Sequence, residues 1–320
     1  MVLLLQYTLI FASVLLLVAL GGCFAEHSGI INIGLEGIMV MGALGGALMM
    51  KFLPDGTAAI VMIVLVVLAA ILLGMLYSLL LGVAAINFKA DQTLVGTAMN
   101  LLGTAAATVF VKAMNTAADP DNVSSIIQFL EPRKAFLMNI GSFEFNWCML
   151  LAVIALVISY VTLYKTRFGL RLMACGEHPQ AADSVGINVY KMRYAGVLIS
   201  GMLGGLGGIV YITAGVSEWK FEYGVAGFGF LALAVMIFGN WKPVNIAVSS
   251  LLFGLFKCIA ASYASIDING DGIFMLAEIG ISAHLYRMLP YIVTLLVLAF
   301  TSKSSRAPKA EGIPYDKGQR

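Results

Sequence analysis

Near its C-terminus the chain reads DINGDGIFMLAE. Asp267, Asn269 and Asp271 stand at positions 1, 3 and 5 of a calcium loop. Gly272 takes the sharp-turn position, the carbonyl of Ile273 position 7 and Glu278 position 12. Oxygen donors in this order suit a hard cation. Met275, at position 9, brings no oxygen ligand, and neither does Ala277. An acidic turn containing glycine, joining two membrane helices, would spell the same letters. The string therefore leaves two readings open, a weak calcium clip and no metal at all. A calcium-gated sensor is the function class it would suggest.

Other reactive constellations are missing from the sequence. It has no G-x-x-x-x-G-K-[ST], so the chain has no phosphate-binding loop for ATP, and neither H-E-x-x-H nor G-x-S-x-G occurs. His27, His178 and His284 are far apart, and Cys23, Cys148, Cys175 and Cys258 lack metal-ligand spacing. No cofactor is expected in this chain. A net charge of +2 gives no reason to expect a nucleic-acid partner. Glu36 and Lys257 are the ionisable residues deepest inside apolar stretches. A charge at the bilayer centre costs about 2.5–3.5 kcal/mol on insertion scales, so each needs a partner or an aqueous cavity. Glu36 either hydrogen-bonds a broken helix or lines a substrate path. Lys257 is expected to snorkel toward the outer headgroups.

The elements that must position these residues are membrane spans. The 320 residues are 60% hydrophobic and 11% charged, where about 25% charged is usual for a soluble domain. Apolar segments fall near 3–24, 30–50, 57–87, 92–112, 146–164, 194–216, 225–240, 244–265 and 287–301. The expected fold is all-α and polytopic, with about 9–10 transmembrane helices. One N-terminal segment is expected to be broken or re-entrant, because Asn32, Gly34, Glu36 and Gly37 interrupt the second apolar run. Residues 1–23 end in LGGC like a lipoprotein signal, but no Lys or Arg precedes their apolar run, and they read as a first helix. G-x-x-x-G spacings at Gly42/Gly46, Gly201/Gly205 and Gly204/Gly208 read as close packing inside one bundle.

Residues 1–301 form a transmembrane domain and 302–320 a tail. Residues 165–193 and the tail together hold ten of the nineteen Lys and Arg, which assigns both to the cytoplasm. The connections 113–145 and 266–286 then lie outside. Within 165–193, GEHPQAADSVG carries a proline suited to a helix start and a glycine suited to a helix end. A loop of some 30 residues exceeds a mere connection. It reads as a docking surface.

Four blocks carry a family resemblance. FAEHSGIINIGLEG (24–37) resembles the signature of permease subunits of nucleoside ABC importers, the branch served by basic membrane lipoproteins. GEHPQAADSVGINVYKMRY, followed by SGMLGGLGG, is similar to that family's coupling loop and next helix. GFGFLALAVMIFGNWKP (227–243) and LPYIVTLLVLAF (289–300) match two further blocks. The four run in the family's order across about residues 22–300; the calcium-like string is no part of the pattern.

The resemblance implies a multi-pass cell-membrane permease for nucleosides that works by alternating access and is not itself an enzyme. It implies a second homologous permease, a cytoplasmic ATPase carrying ATP and magnesium, and a substrate-binding lipoprotein. Gly176, Glu177, His178, Pro179, Ala181, Ala182 and Asp183 would couple to the ATPase. From their own chemistry, Asn32 and Glu36, sharing a face if helical, would hydrogen-bond ribose hydroxyls or base edges, and Phe228 and Phe230 would either offer a stacking surface or pack against lipid. A ribose-type sugar permease and a stand-alone secondary transporter are the alternative readings.

Overall fold

The computed structural model describes residues 2–54, 56–129, 134–140, 143–213, 218–263, 282–301 and 306–317. The calcium-like string, Asp267 to Glu278, lies outside the described residues. Among those described, seven helices are long and apolar enough to cross a membrane. They are α1 (Val2–His27), α2 (Leu35–Phe52), α3 (Ala59–Gly82), α4 (Gln92–Ala118), α5 (Trp147–Lys165), α8 (Val189–Thr213) and α10 (Pro243–Ser262). α3 runs on through a π-helical turn, Val83–Asn87. Between α5 and α8 lie the short α6 (Arg167–Glu177) and α7 (Pro179–Ser184). α9 (Phe228–Phe238) and α11 (Ala283–Thr301) complete the set.

The all-α expectation holds. The described strands form two short antiparallel pairs at one end of the bundle. β1 (Ile126–Gln128) pairs with β4 (Glu218–Lys220), and β2 (Leu137–Ile140) with β3 (Phe143–Asn146). Side-chain caps fix four helix starts, among them that of α8, where Asn188 accepts from Lys191 N. Asp91 accepts from Leu94 N at α4, Asn146 from Cys148 N at α5 and Thr166 from Gly169 N at α6.

Contacts sort the loops onto two ends. At the coupling end, Gly176 abuts the carbonyl of His27, His27 bonds Trp241, and Lys89 pairs with Asp316 at 2.8 Å. At the hairpin end, Lys51 bonds Asn115, and Asn115 donates to the carbonyls of Ser124 and Ile126. α1 thus runs toward the coupling end and α8 away from it.

Two passages are interrupted. The second apolar run is broken as expected: residues 28–34 leave the helix and α2 starts only at Leu35. The stretch is buried, so its backbone must be satisfied by protein. Gln92 accepts from Ile31 N, and Asn100 donates to the carbonyl of Ile33 while accepting from Gly37 N. The seventh run was expected to be an unbroken span and is not. α9 has 11 residues, about 16 Å of helix against a hydrocarbon core of about 30 Å. The chain reaches it from the hairpin end through β4 and a turn over residues 221–227.

No repeat is visible in the sequence, yet the elements repeat with reversed direction. α1, a non-helical stretch, α2, α3 and α4 are matched by α8, the stretch before α9, then α9, α10 and α11. α1 and α8 pack on each other, and α3 packs on α8 as α10 packs on α1. Glycines permit this closeness. A β-carbon on Gly42 would lie 2.2 Å from Gly205 Cα, and one on Gly74 2.4 Å from the carbonyl of Gly201. The G-x-x-x-G spacings therefore pack within the bundle, as expected.

Candidate functional site

The two interrupted passages meet. Glu36, in the first turn of α2, reaches the start of α9. Its Oε1 accepts from Gly227 N at 2.8 Å and its Oε2 from Gly229 N at 2.7 Å. Unpaired N–H groups and the helix dipole make each helix start attractive to an anion. One carboxylate in the first turn of α2 here satisfies two N–H groups at the start of α9. Gly227 is left-handed, and a β-carbon on Gly229 would lie 2.4 Å from Glu36 N, so both glycines are needed for the approach.

Aromatic rings and one cation surround this carboxylate. Phe228 is buried, with its ring centroid 4.8 Å from that of Tyr211 and 5.7 Å from that of Phe11. Tyr211 in turn meets Trp219 edge-on at 5.2 Å. Lys257 Nζ lies 4.7 Å from the centre of the Phe228 ring, 5.9 Å from that of Tyr291, and within electrostatic reach of Glu36. The expectation that Lys257 snorkels outward is thus corrected. Its ammonium turns into the bundle because a carboxylate and two aromatic faces replace the water it gives up.

The sequence-derived path residues separate. Asn32 is fully buried and donates to Ser200 Oγ at 2.8 Å, while its Oδ1 has no partner. It stands in the non-helical stretch, so the condition for its sharing a helix face with Glu36 is not met. Phe230 is 49% exposed whereas Phe228 is 1% exposed, so the expected stacking pair points in two directions. Adjacent-but-one residues on a helix lie about 200° apart. Tyr211, Trp219, Lys257 and Tyr291 did not stand out as a group in the sequence. Only the meeting of α2 and α9 gathers them.

At the hairpin end, hydrogen bonds from Lys112 and Lys220 hold Glu222 down at about 2. They fix the turn that leads the chain down to Gly227.

At the coupling end, the expected coupling residues divide by face. Gly176, Pro179 and Ala182 are buried against the bundle, whereas Glu177, His178 and Ala181 are exposed. A β-carbon on Gly176 would lie 2.4 Å from the carbonyl of His27, so this glycine sets the seat of α6. Gly186 ends α7 with φ +83°, the helix-stopping glycine read from the sequence. Asp183 bonds Tyr315, whose hydroxyl burial pushes up to about 12.

Tyr315 belongs to a tail that straps the coupling end. Ala310 N donates to the carbonyl of Gly176 at 2.8 Å, and Gly312 N to that of Gly29 at 3.2 Å. The buried Arg193 donates to the carbonyl of Ile313 at 3.0 Å. Glu311 hydrogen-bonds Glu26, which also accepts from Trp241 Nε1. Burial pushes the Glu311 carboxyl up to about 7, the bond with Glu26 offsetting part of that rise. The strap was not legible in the sequence, where the tail reads only as polar and basic.

Among the described residues no group of three or more His, Cys, Asp or Glu could hold a metal ion, and the four cysteines are buried and free.

Comparison with known proteins bears on this arrangement. Residues 4–298 match the family described as branched-chain amino acid transport system / permease component. The chain is similar to the guanosine ABC transporter permease protein NupQ of Bacillus subtilis strain 168, at 39% identity over 98% of this chain and 96% of the relative. It is similar to the nucleoside ABC transporter permease protein NupC of Lactococcus lactis subsp. cremoris, at 38% identity over 97% and 96%. It is also similar to NupB, a nucleoside ABC transporter permease protein of the same organism, at 24% identity over 76% and 68%. No solved structure matches.

Proposed function

Because the chain belongs to the branched-chain amino acid transport system permease family, we propose that it is the transmembrane permease subunit of an ATP-driven nucleoside importer. It works by alternating access, paired with a second permease. Two L. lactis permeases that both resemble this chain support such pairing. A separate ATPase supplies the energy and a surface lipoprotein delivers the substrate. The coupling end faces the cytoplasm. Five basic residues in 165–193 and five in 302–320 favour that orientation.

The observation that carries this reading is Glu36 bridging the starts of α2 and α9. Broken helices that meet across an inverted pair of repeats are where transporters bind substrate at membrane depth. Ribose hydroxyls can donate to the Glu36 carboxylate, and a base has flat faces to set against Trp219 or Tyr211. When ATP closes the ATPase, the exposed face of α6 and α7 transmits the motion. Gly176 and the tail pass it to α1 and α9. ATP shifts this equilibrium only through its different affinity for the two states.

The test is reconstitution of the chain with its partner permease, ATPase and lipoprotein in liposomes, with nucleoside uptake measured with and without ATP. Uptake that needs ATP and all subunits, and that excess nucleoside but not excess ribose suppresses, is the expected result. Uptake by this chain alone would instead establish a secondary carrier.

A further inference from the structure

An apolar groove lies between α1, α5 and α10. Toward the hairpin end it encloses about 380 Å³, and its walls include Leu9, Leu16, Met149, Val153 and Ala247. The two hydroxyls in that wall do not face the space as free donors. Ser13 Oγ bonds the carbonyl of Leu9 and Ser250 Oγ that of Ile246, each at 2.7 Å on its own helix. The wall is therefore apolar. The helical stripes continue toward the coupling end at spacings of three and four, to His27 on α1 and Tyr164 on α5.

There α1, α5, the turn before α10 and the tail border a second, separate space of about 430 Å³, of different chemistry. It is lined by Lys242 just before α10, Arg306 from the tail, Trp241, Tyr164, Asn240 and His27. Lys242 and Arg306 are exposed, and among the described residues neither forms an ion pair. Of the carboxylates around this space, Glu26 is committed to Trp241 and Glu311, and Glu177 acts on His27. The basic wall is built in place. Arg306 N donates to Asn240 Oδ1 at 2.9 Å, and the Trp241 carbonyl is held by His27 and Cys23. Asn240 and Trp241 both adopt left-handed backbone, which carries Lys242 round the end of α9.

We propose that these two spaces together bind one anionic glycerophospholipid of the cytoplasmic leaflet. Its phosphate-bearing headgroup sits at Lys242 and Arg306, between Trp241 and Tyr164, and an acyl chain lies along α1, α5 and α10. An apolar limb joined to an anionic head is the chemistry the two ends ask for together. A basic cleft between helices at the cytoplasmic interface, flanked by Trp and Tyr, matches an anionic headgroup rather than a zwitterionic one. The lipid would join α5, α10 and the tail, the parts that move relative to one another if the coupling end drives α9.

The experiment is native mass spectrometry of the assembled transporter, released from mixed phosphatidylglycerol and phosphatidylcholine. Expected is one retained phosphatidylglycerol, preferred about tenfold or more over phosphatidylcholine. The Lys242→Gln/Arg306→Gln double variant is expected to lose that preference while keeping its oligomeric mass. Ala247→Phe, which fills the apolar limb, is expected to lose the lipid with the basic residues intact. Millimolar glycerol phosphate is expected to leave the lipid bound. Equal retention of both lipids by the wild type, or an unchanged preference in the double variant, overturns the proposal. So does displacement by glycerol phosphate, which would make the ligand a free anion. A photo-crosslinker at position 242 that captures a protein subunit instead of lipid overturns it as well.

Discussion

Replacing Glu36 with glutamine tests the carboxylate bridge most directly. Each oxygen of Glu36 accepts one backbone N–H at the start of α9, at 2.8 and 2.7 Å. Glutamine keeps one acceptor and turns an NH₂ group toward the other N–H, so one charge-assisted bond is lost. Such a bond contributes about 1.5–3 kcal/mol, a factor of about 10–150 in the equilibrium it governs. The substitution also removes the anion that faces Lys257. The assay is initial nucleoside uptake in proteoliposomes carrying all subunits, normalised to folded permease from size-exclusion chromatography. Uptake is expected to fall at least about tenfold with folded yield changed by less than about twofold. Glu36→Asp, one methylene too short to span both amides, is expected to fall similarly. A neutral carboxyl would be mimicked well by glutamine. Wild-type uptake by Glu36→Gln would therefore refute the anionic bridge, and a loss of yield parallel to the loss of uptake would reduce it to a folding contact.

Gly176→Ala places a methyl group 2.4 Å from the carbonyl of His27. ATPase activity of the complex is expected to lose its stimulation by substrate while the subunits still co-purify. Glu177→Lys, on the exposed face, is expected instead to weaken ATPase co-purification. The tail should respond to pH in a definite sense. Docking raises the Glu311 carboxyl from its ordinary 4.5 to about 7, so docking favours the protonated form. Its contribution is full below 4.5 and is lost as pH rises through about 7. Hydrogen-exchange protection of residues 306–317, corrected for intrinsic rates, is expected to decline across that window in the wild type and stay level in Glu311→Gln. For the calcium-like string, melting curves in millimolar calcium and in chelator are expected to coincide. A rise in melting temperature that Asp267→Ala/Glu278→Gln abolishes would establish the clip.

The class of the protein and the positions of its spans follow from the sequence alone, because the bilayer imposes a one-dimensional rule. Every spanning segment must be long and apolar, and each helix satisfies its own backbone. The interruption around Asn32 and Gly34 was legible for the same reason, since polar residues and glycines in an apolar run announce a broken helix, although Glu36 and Gly37 prove to lie within α2. The division of α6 and α7 from α8 was legible in Pro179 and Gly186, whose backbone preferences are local. The second interruption was not legible. GFGFLALAVMIF is apolar throughout, and nothing in its letters says that its helix starts at Phe228, halfway through the passage. That start is set by Glu36, 191 residues away from Gly227, whose carboxylate replaces the missing preceding turn. The inward turn of Lys257, the parting of Phe228 from Phe230 and the strap of Arg193, Glu311 and Tyr315 were likewise decided by tertiary packing. Each depends on partners distant in sequence, and burial makes their pairing compulsory only once the helices have met.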